Sequence, residues 1–249
     1  MPVRRPAEIA GVDGCKAGWI AVTADLETFG KVQVKIFRSF AELIWERASL
    51  AIIAIDMPIG LPDRAIGGGR EPDWVARAFL GPQRSSVFPV PSRRAVYAHG
   101  KGYPRVCAIA RATSDSPRAP SKQLFGILPR IQEIDEILRQ DPVLRERVFE
   151  VHPEISFQVM NNDHPLPERK KVKGRINEPG MRRRKELLTK EGFPLPFLDQ
   201  SPPDGAGRDD FYDACACTWS AKRILDGKAL VFPSNPPLDG EGLEQAIRA

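Results

Sequence analysis

The run Leu50-Ala-Ile-Ile-Ala-Ile55 carries no polar side chain, and it stops abruptly at Asp56-Met57-Pro58-Ile59-Gly60. A strand that is apolar at every position is buried on both faces, so its sheet needs cover on both sides. Proline and glycine then end the strand, and a residue before proline is held extended. Asp56 is separated from that proline by Met57 alone, which leaves its carboxylate at the strand end rather than in a loose loop. This one segment already selects an α/β architecture with an acid presented at the edge of its sheet.

The neighbouring segments agree. EIAGVD reads as a first strand, WIAVTADL follows the small-residue turn GCKAG as a second, and VQVKIF alternates with period two as a third. SFAELIWERA has helical spacing, with Phe40, Leu43 and Ile44 on one face and Ser39 as N-cap. The order is therefore strand, strand, strand, helix, strand. Residues 62–122 are rich in Pro, Gly and Ser, with EPDWVARAFL as a helix among them. Such a segment inside an α/β chain reads as a cap over a site rather than a linker. QLFGILPRIQEIDEILRQ is helical, with Pro129 kinking or beginning it; RVFEVHPEISF alternates and reads as the fifth strand. RRRKELLTKEGF predicts a short helix closed by Gly192, and DDFYDACACTWSAKRILDGKA a long one stopped by Gly227. The Pro-rich stretch PSNPPLDG is expected at the surface.

Composition narrows the function classes. The chain has 249 residues, 42% of them apolar, enough for a sizeable core. No segment approaches the ~20 apolar residues of a membrane span. MPVRRPAEIAG lacks the apolar core of a secretory signal, so a cytoplasmic location and no membrane partner are expected. Four cysteines and three histidines offer no zinc-type spacing, and the cysteines read as reduced packing thiols. The net charge of +5 permits an anionic partner, and residues 168–186 (ERKKVKGRINEPGMRRRKE) concentrate it. That stretch is either a solvated loop with a helix start or a surface that contacts phosphates; no aromatic interleaves to stack bases.

Acids mark four stations along the chain: Asp13 in IAGVDG, Asp56 in AIIAID, Glu150 with Glu154 in RVFEVHPE, and Asp210 with Asp213 in DDFYDACA. An ordinary turn before Gly14 is the plain account of Asp13. Dipole compensation in a first helical turn accounts for Asp209 and Asp210. It accounts poorly for Asp213, which heads a stripe with Cys217, Ser220 and Ile224 that faces the sheet. Glu150 points opposite to Phe149 and Val151, and either it or Glu154 is a ligand or a sheet-surface charge. If the stations converge they form a site for a hard divalent ion, Mg²⁺ or Mn²⁺, held by oxygen ligands. Arg84 with Ser85 and Ser86 in a Gly/Pro-bounded loop suits a phosphate or ordinary loop packing.

Together, the strand order and the last acidic helix resemble the ribonuclease H-like fold. More closely, GVDGCKAGW, IDMPIGLPD, ARAFLGPQRSSVFPVPSR, EVHPEISF and DDFYDACACTWSAKR resemble the bacterial predicted RNase H-like nucleases, filed under domain of unknown function 429, over roughly residues 8–232. The resemblance implies an α/β fold: a mixed five-stranded sheet in β-β-β-α-β-α-β-α order, helices on both faces, and a single domain over 1–249 with a loop/helix insertion at about 62–140. It implies a hydrolase of phosphodiester bonds, with nucleic acid of unspecified type as partner. Asp13 would bridge two Mg²⁺ or Mn²⁺ ions, Asp56 and Asp213 would each complete one, with Asp210 a further metal ligand and Glu150 or Glu154 assisting. Arg84, Ser85, Ser86, Gln123, Lys170 and Lys171 would contact substrate. Two other readings keep the same strand order: an ATP-binding phosphotransferase of the actin and sugar-kinase type, or a catalytically silent nucleic-acid-binding protein. The first would need a second glycine-rich phosphate loop after a later strand, and GAGRDD precedes a helix with no visible strand before it.

Overall fold

The computed structural model describes residues 8–249. In chain order they form β1 (Glu8–Cys15), β2 (Gly18–Asp25), β3 (Val32–Phe37), α1 (Phe40–Glu46), β4 (Leu50–Ile55), α2 (Glu71–Leu80), α3 (Arg93–Val96), α4 (Tyr103–Ala112), α5 (Lys122–Gln140), α6 (Pro142–Arg145), β5 (Val148–Glu150), α7 (Pro153–Met160), β6 (Lys171–Val172), β7 (Arg175–Ile176), α8 (Glu178–Lys190), α9 (Leu195–Asp199), α10 (Arg208–Leu225), β8 (Val231–Phe232) and β9 (Ile247–Arg248). They fall into two compact units. One holds residues 8–56, Arg147–Ala229 and the last two residues; the other holds Met57–Glu146 and Leu230–Ile247.

The first unit is built on a five-stranded sheet in the order β3-β2-β1-β4-β5. β1 runs antiparallel to β2, and β2 to β3, as the short turns predict; β1–β4 and β4–β5 are parallel. The all-apolar β4 lies between β1 and β5, which is why it carries no polar face. Val12 is level with Ile55, and Ile55 with Glu150. Asp13 and Asp56 therefore stand side by side at the carboxyl ends of two parallel neighbours, with Asp56 N donating to Val12 O at 2.9 Å.

α10 lies across this sheet. It is buried along nearly its whole length, from Phe211 to Ala221. Gly11 makes the crossing possible: a Cβ there would fall 2.0 Å from Thr218 N, 2.3 Å from Ala214 O and 2.5 Å from the Cys217 carbonyl carbon. A glycine inside a strand commonly marks such a close backbone approach. Thr218 Oγ1 donates to Val22 O at 3.0 Å, which ties the helix to β2. All four cysteines are buried free thiols, as their spacing suggests.

The alternation in residues 147–157 predicts one long strand, but β5 ends at Glu150, and His152 precedes α7. Pro153 explains the difference: it cannot donate to a ladder, yet its fixed φ suits the first turn of a helix. Pro129 does not begin its helix either. α5 starts at Lys122, capped by Ser121, whose side chain accepts from Leu124 N, and runs through the proline.

In the second unit, buried ion pairs join loop-rich segments. Arg70 and Asp73 are almost wholly buried and paired at 2.7 Å. Arg93 bonds Asp135 at 3.0 Å and Asp239 at 2.6 Å. Asp239 also accepts from Leu61 N. The Pro-rich stretch near residue 239 is thus anchored by a buried carboxylate, although Leu238 and Gly240 beside it are exposed as expected.

Candidate metal centre

Three of the sequence-predicted acids converge. Asp13 from the end of β1, Asp56 from just beyond β4 and Asp213 from the second turn of α10 each offer a carboxylate oxygen, all within 4.8 Å of one another. Asp13 and Asp213 are buried and Asp56 is half-buried. Their separation in sequence is closed by the crossing of α10 over Gly11, which brings a helical turn onto the strand end.

Like charges this close, away from water, resist ionisation. Burial raises the Asp13 pKa well above the usual carboxylate value, and Asp56 and Asp213 add to the effect. Burial likewise pushes Asp56 and Asp213 up to about 6, against the opposing pull of Lys170. Asp13 Oδ1 accepts from Gly14 N at 2.7 Å. Asp213 is divided: Oδ2 pairs with the Lys170 ammonium, while Oδ1 is buried with no hydrogen-bond partner. An orphaned buried oxygen, on a carboxylate that clusters with two others, fits a cation of the hard, oxygen-seeking kind. No histidine or cysteine enters this cluster; its donors are all carboxylate oxygens, the ligands that hard divalent ions take.

The other predicted residues are placed as follows. Glu150 is buried on β5 but shares the sheet face of Val12 and Ile55, whereas Asp13 lies on the alternate face with Gly11, under α10. Glu154, in the first turn of α7, is buried and paired with Arg184 of α8 at 2.6 Å. Burial would raise its pKa, yet Arg184 and then Lys170 outweigh it and hold the carboxyl below its ordinary value. Asp210 accepts from Gly207 N at 2.8 Å, closing the start of α10. Burial nonetheless raises its pKa.

Lys170 and Lys171 point into acids. Lys170 pairs with Asp213, and Lys171 with Asp209. Burial works against the Lys170 ammonium, but Asp213, Glu154 and Asp13 together hold its pKa above the ordinary value. Arg84 and Ser85 are exposed on a single 3₁₀ segment, Gly81–Ser86, of the second unit, where Ser86 Oγ donates to Gln83 O at 2.9 Å. Gln123 is exposed in the first turn of α5. Two residues of the first unit that matter here escape the sequence reading. Arg184 sits in an Arg-rich run that looks solvated, and no local signal distinguishes it from Arg182 and Arg183. Gly11 could have been found, because a lone glycine between Ala10 and Val12 in a buried strand signals close approach.

Among the described residues no helix is long and apolar enough to cross a membrane. The family model described as "Protein of unknown function (DUF429)" matches residues 11–238. No curated protein and no solved structure matches the chain.

Proposed function

The chain belongs to the DUF429 family, whose function is unknown, and from its acidic centre we propose that it is a divalent-metal-dependent nuclease of the ribonuclease H-like superfamily. One observation carries this reading. Three carboxylates from two adjacent parallel strand ends and a crossing helix share one point, and a buried oxygen of Asp213 has no protein partner. Buried polar atoms ordinarily find a hydrogen-bond partner, and a cation would supply one to this oxygen.

Asp13, Asp56 and Asp213 would hold Mg²⁺ or Mn²⁺. When bound, such an ion supplies a Lewis acid for a phosphoryl oxygen and lowers the pKa of a bound water below that of bulk water. Glu154, paired with Arg184 and held ionised by it, is poorly suited to deliver a proton. Nucleic acid is the partner that suits a phosphodiester substrate. Support comes from the β6–β7 hairpin, where Lys173 and Arg175 are exposed close in sequence to Lys170. Cations there suit contact with the phosphate backbone. The phosphotransferase reading draws less support. The described element before Gly205–Gly207 is helix α9, not a strand that would open a second phosphate loop.

The test is Mn²⁺- or Mg²⁺-dependent cleavage of a panel of single- and double-stranded DNA, RNA, hybrid and branched substrates. Cleavage is expected by the wild type, and loss of roughly 10²–10³-fold in Asp13→Asn, as for removal of groups that stabilise developing charge. Equal activity in that variant rejects the mechanism.

A further inference from the structure

The charges around the centre constrain how many ions it holds. Two nearby acids are already neutralised, Glu154 by Arg184 and Asp209 by Lys171. Asp210 closes the start of α10, where the helix dipole favours a negative charge. That leaves the carboxylates of Asp13, Asp56 and Asp213, and the ammonium of Lys170.

Lys170 is built into this place. Three successive carbonyls leading to it are held: Glu168 O by Arg184 Nη1 at 3.1 Å, Arg169 O by Asn177 Nδ2 at 2.8 Å, and Lys170 O by Asn177 N at 2.9 Å. Gly180, in the first turn of α8, lies against the same segment, since a Cβ there would fall 2.2 Å from Arg169 O. With the backbone pinned, the side chain reaches one oxygen of Asp213 and leaves the other, buried and unpartnered, for a ligand.

We propose that Lys170 is a resident part of the metal centre, its ammonium replacing a second divalent ion, so that the protein binds one Mg²⁺ or Mn²⁺ per chain. The inference rests on the metal-dependent reading given above. Three carboxylates carry three negative charges; Lys170 offsets one, and a single divalent ion offsets the other two. A second ion would leave uncompensated positive charge in a buried site, and unpaired buried charge is costly. The two oxygens of Asp213 divide accordingly, one for the ammonium and one for the ion. Lys170 is then a positioning residue and a fixed charge, and the centre differs from the two-ion arrangement that the sequence suggests.

The experiment is a Mn²⁺ titration of the metal-stripped full chain. Stoichiometry is read from the loss of free-ion electron paramagnetic resonance signal, and the bound spectrum reports whether ions are spin-coupled. The wild type should bind one ion with the spectrum of an isolated Mn²⁺. Lys170→Arg, which keeps the charge, should also bind one; Lys170→Ala frees the Asp213 oxygen that the ammonium holds and cuts the excess charge of a two-ion centre, so it should bind two. Two coupled ions in the wild type would overturn the inference while leaving the metal-dependent reading intact. One ion in Lys170→Ala, with folding confirmed by circular dichroism, would overturn it as well. No binding by the wild type would sink both. The wild-type spectrum decides between one ion and two even if Lys170→Ala fails to fold.

Discussion

Replacing Gly11 by alanine tests the crossing on which the centre depends. The added methyl would lie 2.0 Å from Thr218 N, with two more backbone atoms of α10 within 2.5 Å. Ordinary carbon contacts need about 3.5 Å, so the helix must withdraw by roughly 1.5 Å. No side-chain rotation can relieve this, because every obstructing atom is backbone. Overpacking a core commonly costs 1–3 kcal/mol, and the rigid obstacle puts Gly11→Ala at about 3 kcal/mol or more. In urea that corresponds to a midpoint lower by roughly 1 M. The same withdrawal carries Asp213 away from Asp13, so Mn²⁺ affinity should fall roughly tenfold or more, as when the support of a metal ligand is removed. Gly126 provides an internal control. It lies inside α5 with nothing within 4 Å of its added Cβ, so Gly126→Ala should stabilise by about 0.5–1 kcal/mol through helix propensity. Urea unfolding by circular dichroism and calorimetric Mn²⁺ titration measure both effects. A Gly11→Ala protein within ~0.5 kcal/mol of wild type, with unchanged Mn²⁺ affinity, would refute the account of how α10 positions Asp213.

Two further outcomes follow from the electrostatics. Arg184→Met leaves the buried Glu154 without its partner and should destabilise by about 3–5 kcal/mol in chemical denaturation; a loss under ~1 kcal/mol would show that the pair is not structural. Asp56 binds its proton more tightly folded than unfolded, since its pKa rises from the ordinary 3.8 to about 6. Its charge therefore costs stability as pH climbs through that interval, and costs nothing below it. In chelator, Asp56→Asn should exceed the wild type in stability at pH 7 by on the order of 1–3 kcal/mol, with the difference gone near pH 4. A variant no more stable than wild type at pH 7 contradicts the burial argument.

Much of the first unit is legible in the chain. Period-two alternation, the apolar β4, the Ser39 cap and the Gly227 stop are local signals, and the elements appear where they point. Asp13 and Asp56 could be placed at strand ends for the same reason, and Asp213 on the covered face of α10 from helical spacing. Pro153 was the exception within reach, because a proline outweighs alternation when the run has so few ladder residues. Local pattern shows that a strand has two faces but not which one a distant helix covers. Only the packed structure separates Glu150, on the face away from α10, from Asp13 beneath it. Only it hands Glu154 to Arg184 and Lys170 to Asp213, pairs that are 30 and 43 residues apart. Such partners are chosen by burial: a charge taken from water must find its opposite in three dimensions, and sequence spacing carries no record of that search. The chain's local chemistry supplies the three acids; the close approach of α10 at Gly11 makes them one site.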